Sequence, residues 1–191
     1  SLMSECAQPS ADNSNNFVFD TNNINRLATD ITVVEKCKLA IDHGYQFYIT
    51  DVQVREFMGV PDRKGTYSDL TSWCPSNNLE QIRCLIKKLD MQHISCVALF
   101  LKNFWTLDGS MRILDDNGPL VEMFQAIHNK NRSHLRDATI AEATVHNHCK
   151  LVTNDKRLRN KMNSFFPGSA TTYEEFVESL NDFSRRSNYA D

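Results

Sequence analysis

A repeated pairing constrains the fold of this chain more than anything else: a short apolar run closes on a polar turn, and a helical pattern comes next. Phe17-Val18-Phe19 runs into Asp20-Thr21-Asn22, Tyr45 to Ile49 runs into Thr50-Asp51, and Leu151-Val152-Thr153 runs into Asn154-Asp155. Runs this short suit buried strands of a parallel sheet. Strands that alternate with helices predict an open α/β sheet, and such sheets bind ligands beyond the carboxyl ends of their strands.

The intervening helices carry their own start and stop signals. Thr32-Val-Val-Glu matches a capping box, Val34, Cys37 and Ile41 come at helical spacing after it, and Gly44 supplies the stop. Thr50-Asp-Val-Gln is a second box, which puts Glu56 about two turns into a helix. Leu79 to Leu89 forms a helical stripe, and the apolar run from Ser95 to Trp105 is read as helix. Pro119 suits a first helical position, Ser133 to Cys149 reads as one helix, and Thr172-Tyr-Glu-Glu opens a final helix. Residues 1–16 read as a flexible arm, 17–184 as a single domain, and 185–191 as a tail.

Composition narrows the function classes. The 191 residues hold 21 Lys and Arg against 24 Asp and Glu, a net charge of −3, so the chain is no overall basic nucleic-acid binder. No apolar run approaches the ~20 residues of a membrane span, and the first residues lack the apolar core of a secretory signal, so the expectation is a cytoplasmic protein without membrane contact. The six cysteines form no CxxC pair. They read as reduced thiols, mostly buried, and not as a zinc site.

Four acids fall where this topology can gather them: Asp20 after the first strand, Glu56 on the helix after the second, Asp137 early in the helix before the last strand, and Asp155 after that strand. Gathered carboxylates repel one another unless a hard cation neutralises them, and Mg²⁺ or Mn²⁺ suits oxygen ligands. Such an ion assists phosphodiester hydrolysis. A chain with 24 acids also places some near strand ends by number alone.

Four segments together give these acids a context: Phe17-Val-Phe-Asp-Thr-Asn22, Ile49-Thr-Asp-Val-Gln-Val-Arg-Glu56, Arg136-Asp-Ala-Thr-Ile-Ala141 and Leu151-Val-Thr-Asn-Asp155. In this order they resemble the motifs of the PIN-domain nucleases, and Tyr173-Glu-Glu-Phe176 resembles the start of that family's last helix. The resemblance covers roughly residues 17–180. It implies a three-layer α/β/α sandwich around a mostly parallel sheet, a metal-dependent endoribonuclease, and Asp20, Glu56, Asp137 and Asp155 as its acidic site. Asp20, Asp137 and Asp155 are then expected as ligands of Mg²⁺ or Mn²⁺, directly or through water. Glu56 would hold a second ion or orient the attacking water, with Asn22 and Thr153 hydrogen-bonding the carboxylates. RNA is the implied substrate, either for a toxin-like or an RNA-processing nuclease. An antitoxin-like protein inhibitor and a homodimer are left open as partners. The 81 residues between Glu56 and Asp137 exceed what the compact toxins of the family need, which places an insertion at about 59–116.

Charge adds a substrate path. From His128 to Lys161 there are eight Lys and Arg against three acids. Lys130, Arg132, Arg136, Arg157, Arg159 and Lys161 are therefore expected to meet RNA phosphates. His146 and His148, two apart on a helix, point to different sides and read as surface or packing residues. The alternative function is a catalytically inactive PIN-like module that binds RNA or a protein. No P-loop, GxGxxG or Ser-His-Asp order supports other chemistry, and Asn22 stands where a two-aspartate phosphatase needs its second acid.

Overall fold

The computed structural model describes residues 15–58, 78–98, 105–106 and 118–187. The expected arm therefore lies outside the described residues except for Asn15 and Asn16, as do most of the 59–116 insertion and residues 188–191 of the tail.

Five strands, β1 (Asn16–Phe19), β2 (Gln46–Thr50), β3 (Gln92–Ile94), β6 (Lys150–Val152) and β7 (Ala170–Thr171), form one parallel sheet in the order β3-β2-β1-β6-β7. β4 (Val97–Ala98) and β5 (Trp105–Thr106) pair antiparallel as a separate two-stranded sheet. The large sheet grows outward from β1 in one direction and from β6 in the other. The point of reversal between β1 and β6 opens a crevice at their carboxyl ends. Phe17 pairs with Lys150 and Phe19 with Val152, so both strands end at the same level, beside Asp20 and Thr153.

Side-chain alternation along the strands builds two cores. Phe17, Phe19, Phe47, Ile49 and Val152 face one layer, which holds α1 (Thr21–Thr29), α2 (Ile31–Ile41), α4 (Leu79–Lys88) and α8 (Tyr173–Ser187). Val18, Ile94 and Leu151 face the other, which holds α5 (Pro119–His128), α6 (Leu135–His146) and α7 (Lys156–Phe165). The short α3 (Asp51–Met58) gives Phe57 to the first core and Val52 to the second. The chain is thus an α/β protein folded as a three-layer α/β/α sandwich. No helix among the described residues is long and apolar enough to cross a membrane.

Several sequence expectations hold locally. Thr50 and Gln53 form the second capping box: the Gln53 N–H donates to Thr50 Oγ1 at 3.3 Å, and Thr50 N–H to Gln53 Oε1 at 3.2 Å. The Gln53 amide also donates to the Phe19 carbonyl at 2.7 Å, which ties α3 to the end of β1. Pro119 is the first residue of α5, and Gly44 adopts the left-handed φ of +92° that ends the α2 turn. Cys37, Cys96 and Cys149 are buried free thiols, pushed up to about 12 chiefly by burial, whereas Cys84 is exposed.

Others are corrected. The run from Ser95 to Trp105, read as helix, instead supplies β4 and the first residue of β5; residues 99–104 lie outside the described residues. Buried helix and buried strand share the same apolar run, and length alone does not separate them. Helix α2 is capped by Asp30, whose carboxylate accepts from Val33 N–H at 3.3 Å, just ahead of the Thr32 box. The helix read over Ser133 to Cys149 is a 3₁₀ turn at Arg132–His134 leading into α6, which ends at His146. β6 is not the last strand, because β7 lies beyond it at the sheet edge.

Candidate functional site

The crevice at the carboxyl ends of β1 and β6 is built from three chain segments that begin helices. At the end of β1, the Asp20 backbone N–H donates to the Val152 carbonyl at 3.0 Å, which sews the two strands together. Asp20 is then the N-cap of α1, its Oδ1 accepting from Asn23 N–H at 2.9 Å. Its other oxygen accepts from the Thr153 hydroxyl at 2.5 Å, as expected for Thr153. The buried Asn23 amide donates to the Val152 carbonyl at 3.2 Å and closes the floor.

Asp155 repeats the arrangement one strand over. It caps α7, accepting from Leu158 N–H at 3.0 Å, while its own N–H donates to Thr153 Oγ1 at 3.2 Å. Thr153 therefore links the two aspartates through one hydroxyl. Asp137 arrives differently, on the first turn of α6 and without a cap role. Among the described residues nothing donates a hydrogen bond to its carboxylate.

These three aspartates line one cleft of about 410 Å³, together with Arg136, Thr21, Asn22 and Asn154, over Ile140 and Leu158. Burial raises the Asp20 carboxyl above its usual range; its hydrogen bonds from Thr153 and Asn23 oppose the shift, and Asp155 adds to it. Burial likewise raises Asp137, where Arg136 opposes and the negative charges of Asp155 and Asp20 add. Asn22 lines the cleft without a hydrogen bond to the carboxylates among the described residues.

Glu56, expected to hold a second ion or to orient the attacking water, stands directly behind two residues of the cleft wall, Thr21 and Arg136. Its Oε1 accepts from Arg136 Nη1 at 2.9 Å and its Oε2 from Thr21 Oγ1 at 3.2 Å, so protein donors hold both oxygens. Burial raises its carboxyl, Arg136 and Thr21 oppose the shift, and the negative charge of nearby Asp137 adds to it.

Among the described residues no three His, Cys, Asp or Glu side chains stand close enough together to hold a metal ion as they are. Mg²⁺ keeps several waters and takes one or two carboxylates directly, and the cleft offers oxygen donors, with the Asp137 carboxylate free of protein donors among the described residues.

The basic residues differ in what they touch. Lys156, Arg157, Asn160 and Lys161 line a shallow hollow of about 570 Å³ on α7, just past Asp155. Arg157 also donates to the Ile127 carbonyl at 2.9 Å, which holds α7 against the end of α5. Arg159 donates to the Thr153 carbonyl at 3.0 Å and so braces the floor of the cleft. Lys130 and Arg132 are exposed on the turn between α5 and α6.

Sequence reasoning missed a brace behind the cleft. Asn154 Oδ1 accepts from Tyr173 N–H at 2.9 Å, and its amide donates to Glu174 at 3.1 Å. Arg26 in turn bonds Glu174 at 2.8 Å and lies 4.0 Å from the Tyr173 ring centroid. An Asn beside a proposed ligand was the available signal. Compared with protein-family models, with curated proteins and with solved structures, the chain finds no match in any of the three.

Proposed function

We propose that this protein is a PIN-like, Mg²⁺- or Mn²⁺-dependent endoribonuclease acting in the cytoplasm. What carries the proposal is the convergence of Asp20, Asp137 and Asp155, far apart in sequence, on one cleft at the switch point of a parallel sheet. One or two of these carboxylates would hold the ion directly and the others through its waters. When bound, it would polarise a phosphoryl oxygen and lower the pKa of a bound water.

The chain's own residues do the rest. Thr153 and the α1 amide fix the Asp20 carboxylate in one orientation, so little ordering is left for the moment of binding. Asp137 presents both oxygens without a protein donor among the described residues. The basic hollow on α7 begins at the residue after Asp155, where a strand of RNA leaving the cleft meets positive charge.

The decisive measurement is cleavage of a set of single-stranded and structured RNAs with Mn²⁺, with Mg²⁺ and with chelator. Metal-dependent cleavage by the wild type should fall by about 10³-fold in Asp137→Asn, several kcal/mol of transition-state stabilisation. Cleavage that survives in chelator, or unchanged in Asp137→Asn, refutes the proposal.

One observation favours a second reading, a non-catalytic module that binds RNA. Asp20 and Asp155 each start a helix, so the fold alone has a use for both. That reading expects RNA binding without Mn²⁺ affinity and without cleavage.

A further inference from the structure

Among the described residues, Arg136 is the cation that lines the cleft beside the three aspartates. Its guanidinium has five N–H donors, and the described residues accept from one of them, on Nη1, through Glu56. Its side chain is 43% exposed, that of Glu56 21%. Glu56 is itself held from the other side by Thr21, the first residue of α1. The three side chains form a chain of bonds, Thr21 to Glu56 to Arg136, that ends at the cleft. A guanidinium fixed at one corner presents its remaining donors as a planar fork, the shape that matches a phosphate.

We infer that Arg136 is the anchor for a substrate phosphate in the cleft, and that Glu56 is a positioning residue for Arg136 rather than a ligand of the metal. This rests on the nuclease reading for the identity of the phosphate, an RNA backbone. It assigns the cleft two complementary halves: carboxylates for a cation and one braced guanidinium for the anion the cation accompanies. It also gives Glu56 a use that leaves both its oxygens where they are.

The sign of one substitution separates this from plain electrostatics. If Glu56 were only a nearby negative charge, removing it would strengthen binding of a polyanion. A positioning role predicts weaker binding, because the guanidinium loses the partner that holds it. The probe is a fluorescein-labelled oligouridylate, titrated in chelator at several salt concentrations, with Mn²⁺ affinity measured separately by calorimetry. Arg136→Gln should weaken oligouridylate binding on the order of tenfold and lower the log–log salt slope by about 0.7. Its Mn²⁺ affinity should stay the same or rise, since a cation facing the site is gone. Glu56→Ala should weaken oligouridylate binding several-fold, and Glu56→Gln, which keeps the volume and one acceptor, should fall between it and wild type. Both should keep Mn²⁺ affinity within about twofold, against a loss on the order of tenfold in Asp137→Asn.

Tighter oligouridylate binding by the Glu56 variants would overturn the positioning role. So would a loss of Mn²⁺ affinity in Glu56→Gln equal to that of Asp137→Asn, which would make Glu56 a ligand. Oligouridylate binding indifferent to Arg136→Gln, or absent in the wild type, would overturn the anchor. Wild-type protein that binds oligouridylate through Arg136 but cleaves no RNA with Mn²⁺ would leave the anchor standing and refute the nuclease reading.

Discussion

The two faces of the sheet are packed with different material. On one, Phe176 meets Phe17 and Phe19 edge-on, at 5.0 Å and 5.1 Å between centroids, with Phe47 and Tyr173 around them. On the other, α6 offers Ala138, Ala141 and Ala143 to a core of Val18, Leu151, Met123 and Met162. Eight of the twelve residues of α6 are buried, so this helix is enclosed on nearly all sides. The aromatic face supplies apolar area. The small-residue face supplies a fixed helix, whose first turn carries Arg136 and Asp137 to the crevice. The aromatic layer contributes Asp20 through the cap of α1, and the small-residue layer contributes Arg136 and Asp137.

Substitutions should divide along the same line. Phe176→Ala opens a hole among four aromatic rings and should cost about 3–5 kcal/mol in chemical denaturation. The Mn²⁺ affinity of the molecules that remain folded should not change. A matching loss of metal affinity would mean that the two layers are coupled.

On the opposite face, Asp137→Asn should do the reverse. The Asp137 carboxyl is raised in the fold, first by burial. A raised carboxyl favours the folded state below its unfolded pKa of ~3.9, and that contribution is lost as pH rises through the folded pKa. Metal-free wild type should therefore lose stability as pH climbs out of the ordinary carboxylate range, and Asp137→Asn should lose less. Mn²⁺ at 100 times its dissociation constant should restore about 2.7 kcal/mol to wild type and much less to the variant. Thermal melts at several pH values, with and without Mn²⁺, test both. Parallel pH profiles for the two proteins would show that Asp137 is not held at a cost.

The smallest expected effect belongs to the rim. Replacing Arg157, Arg159 and Lys161 with Gln should lower the salt slope of RNA binding by about 0.7 for each phosphate no longer neutralised. Arg159 should contribute least, since it braces the Thr153 carbonyl and does not line the hollow that Arg157 and Lys161 share. An unchanged slope would move the RNA path to Lys130 and Arg132.

The fold's backbone was legible where local signals agreed with tertiary use. β1, β2 and β6 announced themselves by apolar runs, and the Thr50–Gln53 box formed as its residues require. Helix α1 was not legible. Its sequence, TNNINRLAT, has Asn at three of its nine positions and few apolar residues, of which Ile24 and Leu27 are buried. β3 and β7 have three and two residues, too short for any period to appear. Asp20 and Asp155 could be read from their places at the carboxyl ends of apolar runs, and Asp137 from its place early in a helical pattern. The placement of Glu56 could not, because its partner Arg136 lies 80 residues away and no periodicity reports such a contact.

Asp20 and Asp155 begin helices with the same carboxylates that face the cleft, whereas Asp137 begins nothing. This difference decides what drift would leave behind. In a descendant that had lost the chemistry, positions 20 and 155 would still be restricted to Asp, Asn, Ser or Thr, because a missing cap costs about 1 kcal/mol at each helix. Position 137 would be free to change, and relief from a buried charge would favour the change. An intact pair of aspartates at 20 and 155 is therefore weak testimony to catalysis in any chain of this shape. An acid retained at 137, which caps no helix and is held against burial, is the residue to ask.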